Sequence, residues 1–350
     1  MWRATAEGRC CIEENMPLAE TPAAPVSIAD EEHAENISYL ETLAEHTFGL
    51  WDEVWVGFSW PSYYINHTRR VRNLCLQMAQ PEGGDPKLLE YAAVLHDITK
   101  RYDGEIIRDA RGNRAVGPGG LWQNQPLPPP PGSMSMVTEI YDRESLTGSL
   151  HSESGAVVAD HLLQILGMDD ATRESASQVI RDHVRLRDEN GAIAPPELLE
   201  SRILYDADTL DANLGLVAFY RNIQIHTHKL IRECGHATLK KYVGFIPRWL
   251  QMKQPFVDMM TTDRGRRLAH RRQGRVEAAY RDLMNEIGDV KRFRDEGLMG
   301  VIEFFMGRNE SPDLVRDLQD LRDTWLPNGP KQPYVHSFFQ DLEDEIAGKK

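Results

Sequence analysis

Apolar residues from position 61 onward recur at the spacing of a helix face. The first face carries residues at i, i+4, i+7 and i+11, namely His67, Val71, Leu74 and Met78. The segment 87–100 is apolar nearly all round, which indicates a buried helix. Further helical patterns cover 151–166, 171–187 and 196–220. Because alternation with a period of two is scarce, the pattern predicts an all-α fold.

Two of these predicted helices carry a histidine on the apolar face. In 151–166 the face begins with His151 and continues through Val158, Leu162 and Ile165. In 171–187 the apolar face ends at His183. These histidines are therefore expected to point into the core.

The C-terminal third is also predicted to be helical. Residues 263–287 form one helix, capped by Thr262 or Asp263, and its arginine cluster from Arg264 to Arg275 is interpreted as an exposed face. Residues 300–326 form one more helical region, and the tail from Pro327 is weakly specified.

Two segments lack a helical pattern. Residues 1–45 have little periodic apolar character and are predicted to form a peripheral, mobile or loosely docked arm. Residues 101–150 contain several glycines and the run 126–131 (PLPPPP), which cannot continue a helix. We interpret 46–290 as a catalytic core with 101–150 inserted into it, as a lid or a solvent-exposed excursion, and 291–350 as a helical extension.

Composition excludes several classes of protein. The 350 residues are 41% hydrophobic and 27% charged, as in soluble globular proteins. No apolar stretch is long enough to span a membrane, and no secretory signal is evident. The net charge of −14 disfavours binding to nucleic acid or to anionic membranes. The four cysteines form no metal-binding or disulfide pattern, so a cytoplasmic protein is expected, and a homo-oligomer is left open.

Six histidines and aspartates fall on core-facing sides of the predicted helices: His67, His96, Asp97, His151, His183 and Asp208. Burying such groups costs several kcal/mol each unless each finds a partner. One or more divalent cations would satisfy all six together. Imidazole combined with carboxylate suits iron, manganese, zinc, nickel or cobalt rather than calcium. We therefore expect the six side chains to converge within a few ångström.

The order of these residues resembles the HD-domain metal-dependent phosphohydrolase superfamily. The resemblance lies in Asn66-His67-Thr68-Arg69-Arg70-Val71, Leu95-His96-Asp97-Ile98-Thr99-Lys100, His151-Ser152-Glu153-Ser154-Gly155-Ala156 and Ile203-Leu204-Tyr205-Asp206-Ala207-Asp208-Thr209-Leu210-Asp211-Ala212. It covers about residues 60 to 220 and implies an HD-domain helical bundle. The family pattern favours Asp208 as the last ligand, with Asp206 as the alternative and Asp211 as an acceptor that orients a ligand.

The resemblance implies a dinuclear centre. His67, His96, Asp97 and Asp208 would hold a first metal, while His151 and His183 would hold a second, with Asp97 bridging and acting as a catalytic residue. The expected cofactors are two divalent transition-metal ions, iron or manganese first, with zinc, nickel, cobalt or magnesium as alternatives. Two metals activate a water and clamp the phosphoryl group that it attacks.

Basic residues near the predicted ligands are candidates for binding the substrate. Lys100 follows His96 by about one turn, and the family often carries a lysine there, so Lys100 is also assigned a catalytic role. The other candidates are Arg101, Arg69, Arg70 and Arg187. The expected partner is a phosphorylated small molecule.

Three functions fit the pattern. The leading hypothesis is a hydrolase of phosphate esters or anhydrides of a small molecule such as a nucleotide. The second is a diiron oxygenase that cleaves C–C or C–P bonds with dioxygen, as in the myo-inositol oxygenase and phosphonate-oxidising branches of the fold. The third, a nucleotide-sensing module without metal, is disfavoured because every ligand position is filled.

Overall fold

A computed structural model of the chain describes residues 28–111, 113–117, 120–185 and 193–349. The α-helices in these ranges are α1 (Ile28–Phe48), α2 (Pro61–Glu82), α3 (Pro86–Leu95), α4 (Met136–Arg143), α5 (His151–Ile165), α6 (Asp170–Asp182), α7 (Leu199–Asn213), α8 (Leu216–Cys234), α9 (Leu239–Asp258), α10 (Asp263–Glu286), α11 (Val290–Glu296), α12 (Leu298–Gly307), α13 (Leu314–Asp320) and α14 (Pro333–Ile346). Short 3-10 segments cover Lys100–Asp103 and Ile287–Asp289, and a π-helical turn covers Leu321–Trp325.

The predicted all-α fold is confirmed. The two-residue strands β1 (Glu105–Ile106) and β2 (Asn124–Gln125) pair antiparallel, and they are the only sheet in the described ranges. Helices α2, α3, α5, α6 and α7 pack against one another and enclose the core that carries the six predicted ligands. No helix of the described part of the chain is long and apolar enough to cross a membrane.

Local sequence signals set the ends of the helices around the site. Pro61 opens α2, and Gly83 ends it in a left-handed conformation with φ of 85°. Asp85 caps α3 by accepting hydrogen bonds from the first free backbone N–H groups. The helix expected over 87–100 stops at Leu95, so His96 and Asp97 lie in the turn that follows it.

The helix predicted over 196–220 is two helices. Gly215, with φ of 95°, separates α7 from α8, and a Cβ there would collide with the carboxylate of Glu345. That carboxylate accepts hydrogen bonds from the backbone N–H groups of Leu216 and Val217, which are the first residues of α8. A residue from the C-terminal helix therefore breaks a pattern that is locally continuous.

The predicted N-terminal arm needs correction where it is described. Residues 28–45 lie in α1, which packs on α2, α3 and α4, and Leu40 and Ala44 have no exposed surface. Widely spaced apolar residues suffice for this helix because ion pairs from α1 to α2 supplement the packing. The rest of the arm, residues 1–27, lies outside the described residues.

The insertion 101–150 is more regular than the sequence suggests. Besides the antiparallel pair β1–β2, the segment has two isolated antiparallel bridges in other registers, Arg108–Arg114 and Val116–Trp122. Helix α4 follows, with Ser135 and Thr138 forming a reciprocal capping box. The segment thus forms a short hairpin and a helix between the two halves of the site.

The predicted exposed face of α10 holds for Arg266, Arg267 and Arg271, which are exposed, but needs correction for two other arginines. Thr262 caps α10 as expected, but Arg272 is fully buried, and Arg275 forms ion pairs with Asp341 and Glu345. These partners lie on α14, which occupies the tail that the sequence left unspecified. On α5, Ile165 is 59% exposed because it lies at the end of the helix, beyond the buried face.

Candidate metal centre

The structure brings all six predicted ligands together as two groups of three. The first trio is His67, His96 and Asp208, and the second trio is Asp97, His151 and His183. Within each trio, one potential ligand atom from every residue lies within 4.8 Å of the others. Five of the six side chains are buried, and Asp208 is partly accessible.

The first trio joins the middle of two helices to the end of a third. His67 lies on α2 and Asp208 on α7, and the Nε2 atom of His67 is 3.2 Å from the Oδ1 atom of Asp208. His96 directly follows α3, and its Nε2 atom lies 3.4 Å from Nε2 of His67 and 4.0 Å from Oδ1 of Asp208.

The second trio joins the beginning of one helix to the end of another. His151 is the first residue of α5, and His183 directly follows the last residue of α6. Their Nε2 atoms are 3.2 Å apart. Thr99 fixes the start of α5 beside the turn at residue 97 by donating to the carbonyl oxygen of His151.

Asp97 belongs to the second trio but also faces the first, and it presents one oxygen to the histidines of each. Its Oδ2 atom is 3.7 Å from Nε2 of both His67 and His96. Its Oδ1 atom is 3.6 Å from Nε2 of His151 and 3.7 Å from Nε2 of His183. Burial acts to raise the pKa of Asp97, but the surrounding imidazoles and an ammonium group outweigh it and hold the pKa well below its usual range.

Two of the histidines are fixed by the ends of their own helices. The Nδ1 atom of His96 lies 2.7 Å from the carbonyl oxygen of Ala93, and the Nδ1 atom of His183 lies 2.5 Å from that of Ile180. Both carbonyls belong to the last turn of a helix, where backbone acceptors lack partners. Because a carbonyl only accepts, each Nδ1 carries the proton, and Nε2 is left as the lone-pair atom.

The other two histidines are fixed by carboxylates. The Nδ1 atom of His67 lies 2.6 Å from Oδ2 of Asp211, and the Nδ1 atom of His151 lies 2.8 Å from Oδ2 of Asp103. A carboxylate behind an imidazole sets the tautomer and raises the basicity of the ring as a metal ligand. In their neutral forms, all four imidazoles therefore direct Nε2 inward.

This donor set fits divalent transition metals. Lone-pair nitrogens facing each other at 3.2 and 3.4 Å repel unless a proton or a metal cation lies between them. Ligand atoms bonded to a metal at about 2.1 Å are about 3.0–3.4 Å apart in octahedral or tetrahedral geometry. The observed separations match those of a coordination shell. Burial lowers the pKa of His96 to about 4, which keeps that imidazole neutral and able to bind metal.

Arg70 is not available to substrate, contrary to the prediction. It is buried, and its Nε and Nη2 atoms donate to the two oxygens of Asp211 at 2.7 and 2.9 Å. Asp211 in turn accepts from His67. Arg70 therefore positions a carboxylate that positions a candidate ligand, which agrees with the orienting role that the sequence suggested for Asp211.

Lys100 lies beside the second trio, as expected from its place in the sequence. Its Nζ atom is 3.0 Å from Nε2 of His151 and 3.3 Å from Oδ2 of Asp103. Burial acts to lower the pKa of Lys100, but the nearby carboxylates of Asp103 and Asp97 raise it, so the ammonium stays charged. Asp103 contacts both Lys100 and His151. The sequence did not indicate this role, because an acidic residue three positions after a lysine is an ordinary surface pattern.

Two other predicted substrate ligands point elsewhere. Arg101 is buried and donates to the carbonyl oxygens of Phe48 and Glu53, so it holds the loop after α1 rather than facing the site. Arg69 forms ion pairs with Glu41 and Glu45 on α1. Both arginines are thus engaged by α1 and the loop after it rather than by the metal cluster. Arg187 lies outside the described residues.

Asp206 is engaged away from the cluster. Its carboxylate accepts hydrogen bonds from the backbone N–H and hydroxyl groups of Thr261 and Thr262, at the beginning of α10. Asp206 thus holds the turn before α10, which accounts for a buried aspartate two positions before the partly accessible Asp208. The structure thus places Asp208, and not Asp206, beside the histidines.

Comparison with known families agrees with this geometry. Residues 64–213 match the model of the HD domain, a segment that spans α2 to α7 and contains all six predicted ligands. This part of the chain is an HD domain. The family resemblance noted in the sequence is thereby confirmed, and the HD domain brings with it a site suited to divalent metal. Among curated proteins, none matches the chain.

Solved structures that resemble the chain are distant in sequence. Bacillus subtilis YpgQ is 19% identical, with 73% of this chain and 98% of that chain covered and a TM-score of 0.39. A predicted HD superfamily hydrolase from an uncultured Thermotogales bacterium is 22% identical, with coverages of 72% and 92% and a TM-score of 0.40. An HD-superfamily hydrolase from Bacillus thuringiensis is 18% identical, with coverages of 73% and 99% and a TM-score of 0.43.

Proposed function

We propose that this chain is a dinuclear metal-dependent phosphohydrolase that acts on a phosphate ester or anhydride of a small molecule, such as a nucleotide. The observation that carries the proposal is the position of Asp97, whose two oxygens face different trios at 3.6–3.7 Å. A carboxylate placed in this way would bridge two cations. A single-metal site would leave two imidazoles of the other trio with opposed lone pairs.

The residues divide the work of binding between two cations. His67, His96 and Asp208 would hold one, and His151 and His183 would hold the other, with one oxygen of Asp97 on each. Iron or manganese suits this mixture of imidazole and carboxylate. When bound, such a pair supplies an acidified water and a Lewis acid for a phosphoryl oxygen.

Lys100 supports the assignment of an anionic substrate. The ammonium group lies at the edge of the second trio, where Asp103 holds it by an ion pair of 3.3 Å. From that position it can donate to a non-bridging oxygen of a phosphoryl group and stabilise the charge that develops there. Asp103 contacts both Lys100 and His151, so one carboxylate would position both the ammonium group that donates to the substrate oxygen and a candidate metal ligand.

A cavity beside the second trio supports a small-molecule substrate. It has a volume of about 610 Å³ and lies between the β1–β2 hairpin and the start of α5. Its walls include Tyr102, Asp103, Trp122, Asn124 and Leu150. The aromatic rings and the amide suit a planar group that can also form hydrogen bonds, which is why a nucleotide is our first candidate.

Two measurements on protein purified without oxygen test the proposal. We expect about two transition-metal ions per chain and phosphate release from at least one member of a panel of nucleotides and sugar phosphates. Iron together with dioxygen uptake and no phosphate release would overturn the hydrolase in favour of the oxygenase.

A matched pair of variants controls for folding. Asp208→Asn and Asp206→Asn alter aspartates two positions apart on α7, and only Asp208 lies in the cluster. We expect Asp208→Asn to lose metal and activity while Asp206→Asn retains both. Equal losses in the two variants would show that the effect arises from the helix rather than from the site.

A further inference from the structure

Arg221 on α8 takes no part in the proposed chemistry. Its guanidinium carbon lies 4.5 Å from the centre of the Tyr63 ring. Its Nη2 atom is 3.3 Å from Oγ of Ser59, and its Nη1 atom is 3.4 Å from the carbonyl oxygen of Ala212. The side chain thus spans from the loop before α2 to the end of α7.

Two further cationic side chains contact residues that are adjacent in sequence to those contacted by Arg221. Lys253 on α9 donates to Oδ1 of Asn213 at 2.7 Å. Arg114 in the hairpin lies over two rings, at 4.3 Å from that of Phe58 and 3.8 Å from that of Trp122. Phe58 precedes Ser59 and Asn213 follows Ala212, so Arg114 and Lys253 contact residues next to those that Arg221 contacts, and the charge of Arg221 acts on both of them. We name Arg114, Arg221 and Lys253 the basic row.

The basic row lacks compensating negative charge. None of its members has a carboxylate within ion-pair distance in the part of the chain that the structure describes, although acidic residues outnumber basic ones by 54 to 40. Nε of Arg221 and two nitrogens of Arg114 are buried without a hydrogen-bond acceptor. Partly buried like charges at short range destabilise one another.

Burial and the charge of Arg221 lower the pKa of two of the three groups. Burial, reinforced by the charge of Arg221, lowers the pKa of Lys253 to about 7. Burial lowers the pKa of Arg114 to about 10, although Asp103 acts in the opposite direction. The row is therefore a place where an anion would relieve an existing cost.

Arg221, the member of the basic row that acts on both others, is separated from the first trio by one aromatic ring. The Tyr63 ring that carries Arg221 also stacks on His67, with 5.4 Å between ring centres and 10° between ring planes. The guanidinium carbon is therefore no more than about 10 Å from the centre of the His67 ring. Ala212, which Arg221 contacts, is on α7 one turn after Asp208.

We propose that the basic row of Arg114, Arg221 and Lys253 binds a second phosphoryl group of the substrate while the metal centre holds the first. This inference rests on the proposed phosphohydrolase and narrows its substrates to organic di- or triphosphates, as opposed to monophosphates. The row lies on the side of the cluster formed by α2 and α7, and Trp122 links it to the cavity beside the second trio.

Calorimetric titration of the metal-loaded full chain tests the inference. The probe is methylenediphosphonate, a diphosphate analogue that is not hydrolysed, and orthophosphate is the reference. We expect Lys253→Met and Arg221→Gln each to weaken the binding of the diphosphonate by roughly 10- to 100-fold, the range for one charged hydrogen-bond donor. Orthophosphate, which needs only the metal centre, should bind within about threefold of wild type.

Lys331→Met is the matched control. Lys331 also lies over a tryptophan, with its Nζ atom 4.2 Å from the Trp325 ring, but on the loop before α14. We expect it to bind both probes as the wild type does. If Lys253→Met and Arg221→Gln do so as well, or if Lys331→Met loses diphosphonate equally, the basic row is not a phosphoryl site.

Thermal unfolding without ligand distinguishes a binding role from a structural one. Because Lys253 is a poorly solvated cation without an acidic partner, Lys253→Met should keep or raise the unfolding midpoint while it weakens binding. A lowered midpoint with unchanged binding would overturn the inference. Since the diphosphonate is not turned over, row-dependent binding would support the inference even if no phosphate ester or anhydride proved to be hydrolysed.

Discussion

Asp211 connects the stability of the fold to the affinity of the candidate metal centre. Its carboxylate has no exposed surface, accepts two hydrogen bonds from Arg70 at 2.7 and 2.9 Å, and accepts one from Nδ1 of His67 at 2.6 Å. Burial acts to raise the pKa of Asp211, but Arg70 and His67 outweigh it and hold the pKa far below its usual range. The group is therefore a buried carboxylate shared between a structural cation and a candidate ligand.

Asp211→Leu is expected to have two separate effects, one on stability and one on metal affinity. Arg70 is 3% exposed, so the variant leaves a buried guanidinium without its acidic partner, which lowers the free energy of unfolding by about 3–5 kcal/mol. His67 loses the acceptor that fixes its tautomer, which lowers metal affinity by about 10- to 100-fold. Because the folded-state pKa is depressed, the contribution of Asp211 to stability is present above about pH 4 and is lost as the pH falls below it.

A second substitution separates the two effects. Arg70→Met together with Asp211→Leu removes both buried charges, so urea unfolding of the metal-free protein should show recovery of most of the lost stability. Titration with Mn²⁺ should show that the lost affinity is not recovered, because His67 still lacks its acceptor. If metal affinity returns with stability, or if Asp211→Leu binds metal as tightly as the wild type, the positioning role of Asp211 is refuted.

Three further predictions follow from the same structure. Asp97→Ala should lose most metal and all activity, whereas His183→Ala should lose mainly one of two metals; equal metal content in wild type and Asp97→Ala, measured by elemental analysis, would contradict the bridge. Lys100→Ala should lower turnover by roughly 10- to 1000-fold at unchanged metal content, while Arg101→Met should lower the free energy of unfolding by about 2–3 kcal/mol at unchanged KM; the reverse pattern would exchange their roles. Burial lowers the pKa of Lys253 to about 7, so the loss of folding stability that its buried charge causes is complete below pH 7 and disappears as the pH rises toward the unfolded value of about 10.4. The stability gained in Lys253→Met should therefore shrink over that range. A gain that grows with pH would show that the charge of Lys253 does not cause the difference in stability.

The sequence predicted the helices that carry the ligands because each one buries a regular face. On α2 the residues Val71, Leu74 and Met78 have no exposed surface, so the period that they set also places His67 in the core. The same logic holds for His183 at the end of α6. Residues buried on one helix face recur at a regular spacing in the sequence even where one of them is polar, as His67 and His183 are.

Helix ends and side-chain partners distant in sequence could not be predicted. The break before α8 depends on Glu345, which is 129 residues from Leu216 in the chain. The burial of Arg275 depends on the same carboxylate, which no local pattern connects to α10. Arg275, which the sequence placed on an exposed face, is largely covered because α14 packs against it.

The same limitation explains the errors among the predicted substrate ligands. Arg70 is paired with a carboxylate 141 residues away, and Arg101 with backbone carbonyls of the loop after α1. A position next to a ligand in sequence does not determine the direction of a side chain. Conversely, Arg221 lies one ring from His67 and Lys253 contacts the end of α7 without any motif that marks them, since helix packing alone brings them there.

Anomalous diffraction from crystals grown with Mn²⁺ would show the dinuclear centre itself. We expect two peaks about 3.5–4 Å apart. One should lie within bonding distance of the first trio, the other beside the two histidines of the second, with one oxygen of Asp97 on each. A single peak, or two peaks that Asp97 does not bridge, would contradict the dinuclear centre.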